Sequence, residues 1–280
     1  MRLTLHHVPA AQGLRWMAQG WTVFRRAPLA FSALLALYLV AMLVATLLPV
    51  LGPILALGGL PLLSLVYMLH THQALQGRPL GFGLWLQPFK LSAERTRAQL
   101  SLGALYVTGT VGIMLLGHWV DGGAMAHLEE ALTAIAPNAP DAAEQTQHLM
   151  VAALGNDRLL LGVLIRLMGA VLLSVPFWHA PALVHWGGQG ALQALFSSTV
   201  GLWRNRAAFV LNGLAWLGVL LAVSLVLGVV SGLLGTPALL QMLVMPVMLF
   251  MASVFYAGLY FMFVDSFRFM AEPPAATPAA

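Results

Sequence analysis

Apolar residues in this chain run in long unbroken stretches. Asp, Glu, Lys and Arg are absent from 27–77, 98–120, 167–203 and 207–264. A helix that crosses a hydrocarbon core of about 30 Å needs about 20 apolar residues. The first and last stretches each have room for a hairpin of two such helices, the second holds one, and the third holds most of another. Six spans are expected, at Pro28–Leu48, Ile54–Ala74, Leu100–Val120, Leu159–Val184, Ala207–Val230 and Ala238–Phe267. Turns at Pro49-Val-Leu-Gly-Pro53 and Ser231-Gly-Leu-Leu-Gly-Thr-Pro237 close the two hairpins. The fold class expected is all-α, a polytopic membrane helix bundle with about six transmembrane helices plus interfacial amphipathic helices. Residues 1–270 read as one transmembrane domain, and the Pro- and Ala-rich stretch Ala271–Ala280 as a disordered tail.

Between the spans the pattern changes to helical amphipathicity. From Pro9, a favoured first helical position, Ala10, Leu14, Met17, Trp21 and Phe24 recur at helical spacing, with Gln12, Arg15, Gln19 and Arg26 largely elsewhere. This is the pattern of a helix lying on a membrane surface. A second lead-in, with Leu192, Leu195, Phe196, Thr199 and Trp203 on one face, ends in Trp203-Arg204-Asn205-Arg206 before the fifth span. Each lead-in precedes a hairpin whose return helix carries a proline, Pro61 or Pro246. The echo reads either as a parallel repeat about an axis along the membrane normal or as the ordinary likeness of two hairpins. Two short amphipathic stretches, Met125–Ile135 and Ala142–Leu154, flank Pro137-Asn-Ala-Pro140.

Composition and charge add the solvent and the orientation. With 60% hydrophobic and 8% charged residues, against about 25% charged in soluble domains, the surface belongs in lipid. Lys and Arg mark cytoplasmic loops. Arg15, Arg25 and Arg26 precede the first span, Arg78, Lys90, Arg95 and Arg97 separate the second from the third, Arg204 and Arg206 precede the fifth, and Arg268 follows the sixth. All share one side if both termini are cytoplasmic. The segment 121–157 has six acidic residues and no Lys or Arg, and so reads as periplasmic. The first 26 residues are too basic and too long for the start of a cleaved signal peptide, and no convincing cleavage site follows. The chain has no cysteine, which excludes disulfides and thiolate metal sites. Its basic residues are scattered, so no nucleic-acid partner is expected.

Chemistry-bearing positions are few. Arg166 lies about 12 Å into the fourth span beyond Arg158, at 1.5 Å per residue. A charge inside a span is a functional hypothesis by default, although an arginine near the interface can snorkel, and Asp121 or the acidic segment that follows it could offer a partner. Pro176-Phe-Trp178-His179-Ala-Pro181 breaks the same span, which fits either a substrate-lining break or a kink that brings Trp178 and Trp186 to the aromatic belt. His179 and His185, six apart, and His70 and His72, two apart, do not share a helix face and are poor joint metal ligands. Asp265 is three residues from Arg268 and is expected to pair with it, with Arg25 or with Arg204. Gly228-x-x-x-Gly232 permits close helix contact. No metalloprotease, nucleotide-binding or serine-hydrolase motif occurs, so no catalytic, cofactor-binding or metal residue is expected.

The combination of Val8-Pro-Ala10, Phe24-Arg-Arg-Ala-Pro-Leu29, Leu47-Leu-Pro-Val-Leu-Gly-Pro53, Phe177-Trp-His-Ala-Pro-Ala-Leu183, Trp203-Arg-Asn205 and Tyr260…Asp265-Ser-Phe267 resembles an uncharacterised bacterial family of six-span inner-membrane proteins. It is distantly similar to the membrane domain ahead of some bacterial glycerophosphodiester phosphodiesterases. The resemblance implies a six-helix fold and an inner-membrane address, and brings no activity. The expected function is a non-enzymatic membrane scaffold or envelope-homeostasis module, with a lipid or amphiphile transporter as the alternative. Expected partners are membrane lipids and a membrane protein or a second copy of the chain.

Overall fold

The computed structural model describes residues 2–136, 141–235 and 237–270. The connection at 137–140 and the tail from Ala271 lie outside them. Along the chain run β1 (Arg2–Leu5), α1 (Gln12–Phe24), α2 (Pro28–Ala45), α3 (Leu51–Leu75), a 3-10 helix (Phe82–Phe89), α4 (Ala93–Asp121), α5 (Ala124–Ala134), α6 (Ala142–Leu154), α7 (Asp157–Phe177), α8 (Ala180–Gly187), α9 (Ala191–Arg204), α10 (Arg206–Leu234), α11 (Pro237–Ser266) and β2 (Phe267–Met270). Among the described residues, six helical stretches are long and apolar enough to cross a membrane: α2, α3, α4, α7 with α8, α10, and Met242–Ser266 of α11. The helical bundle is as the charge-free stretches predict. The chain divides into two compact units, Ala104–Val175 and the remainder on either side of it.

In the larger unit the core is the second half of α3. Leu63–Thr71 is buried throughout, packed on Phe31, Leu34 and Tyr38 of α2, Val23 and Phe24 of α1, and Val254 and Ala257 of α11. A helix buried on all sides needs apolar residues all round, and its few polar groups must find partners. The Tyr67 hydroxyl donates to the Phe31 carbonyl at 2.8 Å and lies 3.1 Å from Ser253 Oγ. The Tyr38 hydroxyl donates to the Ala56 carbonyl.

The first helix buries a second face that its apolar pattern does not name. The residues α1 buries are Gly13, Trp16, Gly20, Val23 and Phe24, whereas Leu14 and Trp21, of the apolar stripe expected to lie on the membrane surface, stay 46% and 41% exposed. The reason is backbone proximity. A Cβ on Gly13 would stand 2.2 Å from the Ala208 carbonyl of α10, and one on Gly20 would stand 2.8 Å from the Val254 carbonyl of α11. Small residues let helices in lipid approach this closely, and an apolar count gives glycine no weight. So α1 has one face set against α10 and α11 and another, with Leu14 and Trp21, turned outward.

Two further differences concern the end of α11 and the glycines of α10. A helix through Phe267 is expected, but α11 stops at Ser266 and the chain continues as β2, antiparallel to β1 with Thr4 opposite Arg268. A methyl group added to Gly228 or Gly232 would meet no neighbour within 4 Å, so close contact is made by Gly13, Gly20 and Gly103 instead.

In the smaller unit, α4 and α7 run antiparallel. Gly109 faces Leu173, Ile113 faces Gly169, Gly117 faces Arg166 and Asp121 faces Gly162, with methyl positions on the four glycines 2.7–2.8 Å from their neighbours. Each large side chain fills the notch left by a glycine opposite. α5 and α6, which pack on each other, coincide closely with the two amphipathic stretches expected between the third and fourth spans.

Candidate functional site

Three groups of polar side chains inside the apolar framework are the candidates. The first is Arg166 with Asp121 in the smaller unit. Arg166 Nη1 is 2.6 Å from Asp121 Oδ2, with the aspartate side chain fully buried and the arginine 16% exposed. The other carboxylate oxygen accepts the Gly123 backbone N–H at 2.8 Å. Gly122 and Gly123, at φ +62° and +88°, take a left-handed turn that suits glycine and carries that N–H back onto the carboxylate. Gly117 and Gly162 leave the room both side chains occupy. Two charges in an apolar setting require this mutual compensation.

The second group surrounds the break in the fourth span, in the larger unit. The expected single helix is two, α7 and α8, with Trp178 and His179 between them. Pro181 lies in the first turn of α8, where its missing N–H costs nothing. Gln99 Nε2 donates to the Pro181 carbonyl at 2.8 Å, and Arg95 Nη1 to the His185 carbonyl at 2.9 Å, so the start of α4 holds α8. Pro176, in the last turn of α7, is half-buried. Trp178 is also half-buried, edge-on to Phe255 at 5.4 Å, and Trp186 packs on Phe263 at 5.3 Å. Both indoles therefore face other rings of the protein. His179 is fully buried among Phe209, Phe263 and Phe267, and neither ring nitrogen has a hydrogen-bond partner among the described residues.

The third group ties the N-terminal segment to the α9–α10 junction. Asn205, 1% exposed, accepts the Val8 N–H at 2.9 Å through Oδ1. Its Nδ2 donates to the His6 carbonyl at 3.0 Å and lies 3.3 Å from Ser266 Oγ. Nearby, Asp265 Oδ2 accepts from Gln12 Nε2 at 2.9 Å and Trp16 Nε1 at 2.8 Å. The expected pairing of Asp265 with an arginine does not form among the described residues. Because the helix ends at Ser266, Arg268 sits in β2 and not one helical turn beyond Asp265. Both still border one cleft of about 190 Å³ with His6, His7 and Gln12. Arg204 is exposed at the end of α9.

Arg166, Pro176, Trp178, His179, Pro181, Arg204, Asn205 and Asp265 thus fall into separate groups. Over 259 residues the chain is 31% identical to a protein of Burkholderia thailandensis named "probable inner membrane protein", a match that covers 92% of each chain. The chain belongs to this inner-membrane protein family. No family model matches the chain, and no solved structure matches it.

Membership identifies the six long apolar helices as spans of an integral inner-membrane protein and explains why charge inside them is so sparingly used. Four site residues escaped the sequence reading: Gln12, Trp16, Arg95 and Gln99. Each is a polar or amphipathic residue at the edge of an apolar run, where pattern alone assigns it to the interface. The partner of each comes from a distant part of the chain, so no local spacing announces it.

Proposed function

We propose that this protein is a non-enzymatic scaffold of the bacterial inner membrane, with both termini cytoplasmic and the acidic α5–α6 segment periplasmic. The observation that carries the reading is the flank of α10. Half of the most apolar window of α3 is buried but only 6% of that of α10, and Val210, Leu214, Leu217, Leu221 and Leu225 form an exposed stripe along it at helical spacing. Meanwhile Arg166, Asp121, Asn205 and Asp265 are engaged in ties within the protein, which supports a structural use of the polar groups. Crosslinking in native membranes followed by affinity purification is expected to recover a stoichiometric membrane-protein partner. Repeated recovery of the chain alone would overturn the proposal.

A lipid or amphiphile carrier is the second reading, favoured by the surroundings of α8. His179, His185 Nδ1, Gln99 Oε1 and Ser198 Oγ are buried there without hydrogen-bond partners among the described residues, a concentration of unused polar capacity beside a broken helix of the kind that lines transport sites. Reconstituted vesicles that move fluorescent phospholipid between leaflets only when the chain is present would favour this reading over the scaffold.

A further inference from the structure

We infer that one end of the larger unit is a docking collar for anionic phospholipid headgroups, an inference independent of what the spans gather laterally. The end in question is where α3 and α11 finish and α2 and α10 begin. Three amphipathic elements stand there. α1 reaches Asp265, near the close of α11, through Trp16. The 3-10 helix follows α3 and packs on it. α9 leads into α10 behind α8, which is itself held on α11 by Trp186 against Phe263.

Each element turns large apolar side chains outward. Leu14 and Trp21 are exposed on α1, Phe82 (67%) and Leu86 on the 3-10 helix, and Phe196 (70%) and Trp203 (71%) on α9. Each is also flanked by cations, Arg25 and Arg26 after α1, Arg78 and Lys90 around the 3-10 helix, and Arg204 and Arg206 at the end of α9. None of the three elements contains an acidic residue. Two cations are held at the level of an exposed indole, with Arg25 5.6 Å above the Trp21 ring and Arg206 5.3 Å above that of Trp203.

The apolar faces would be placed in the acyl boundary of the leaflet, and the aromatics at the headgroup level. Aromatics alone would serve a neutral lipid equally well. Repeated cations beside these apolar faces add an attraction that only an anionic headgroup returns, on the order of five-fold in partitioning for each. A nucleic acid would satisfy the cations and leave the Phe and Trp faces bare in water, so the lipid surface fits both features.

The test titrates the purified full chain in neutral detergent with dioleoylphosphatidylglycerol or dioleoylphosphatidylcholine, and reads retained lipid by native mass spectrometry. Phosphatidylglycerol is expected to bind at least about ten-fold more tightly, with the preference fading as salt rises. The quadruple variant Arg25→Gln/Arg26→Gln/Arg204→Gln/Arg206→Gln should lose it, the corresponding lysine variant should keep it, and Arg158→Gln should leave it intact. Equal retention of the two lipids, or an unchanged preference in the glutamine variant, overturns the inference. If the glutamine variant is not recovered folded, the salt titration of the unsubstituted chain decides, because a preference that survives high salt is not electrostatic.

Discussion

At the scale of single residues, the buried ion pair and the buried histidine make opposite demands. Asp121 and Arg166 compensate each other at 2.6 Å, so removal of one leaves the other charged in an apolar setting. Arg166→Met alone is expected to cost about 3–5 kcal/mol, read as a large fall in melting temperature in detergent. Asp121→Leu together with Arg166→Met should recover most of it. A double variant as unstable as the single one would mean that the pair acts through something besides charge compensation. His179 reverses the sign. Its imidazole is enclosed by three phenylalanine rings with no hydrogen-bond partner among the described residues, and a buried polar group in that state carries a desolvation cost. His179→Leu, close in volume, should therefore raise stability by about 1 kcal/mol, measured by the same melts. A fall would show that the ring does work the scaffold reading leaves out.

At the scale of elements, α1 separates what sequence shows from what it hides. Its helical character was legible, because Trp21, Phe24 and the intervening polar residues keep a helical period. Its packing face was not, since that face is built on Gly13 and Gly20, whose contribution is the absence of a side chain. The same blindness covers the α4–α7 ladder of Gly109, Gly117, Gly162 and Gly169. The break in the fourth span was legible from Pro176 and Pro181, but the ties from Gln99 and Arg95 that hold α8 were not, because they cross more than 80 residues of chain. Asp265 shows the remaining kind of failure. An i,i+3 argument assumes that the helix continues, and here it stops at Ser266. The packing of α1 is directly testable. Gly20→Val places a branched side chain against the α11 backbone and should destabilise by more than about 2 kcal/mol. A helix merely resting on the membrane surface would tolerate the same change.

At the scale of the whole molecule, the charge-free stretches were enough to place six spans and their rough limits, because lipid imposes length and apolarity on every crossing helix. The sidedness follows from loop charge and has its own test. The chain has no cysteine, so single cysteines report without background. Glu129→Cys is expected to react with a membrane-impermeant maleimide added to intact spheroplasts, and Arg78→Cys only after the membrane is opened. The reverse result would invert the bundle. The central claim concerns what lies beside the spans. A photocrosslinking amino acid at Leu221 or Leu225, on the uncovered flank of α10, should be activated in living cells and the adducts resolved by mass spectrometry. The scaffold account predicts a discrete adduct with another membrane protein or a second copy of the chain. Adducts with lipid alone at both positions would contradict it.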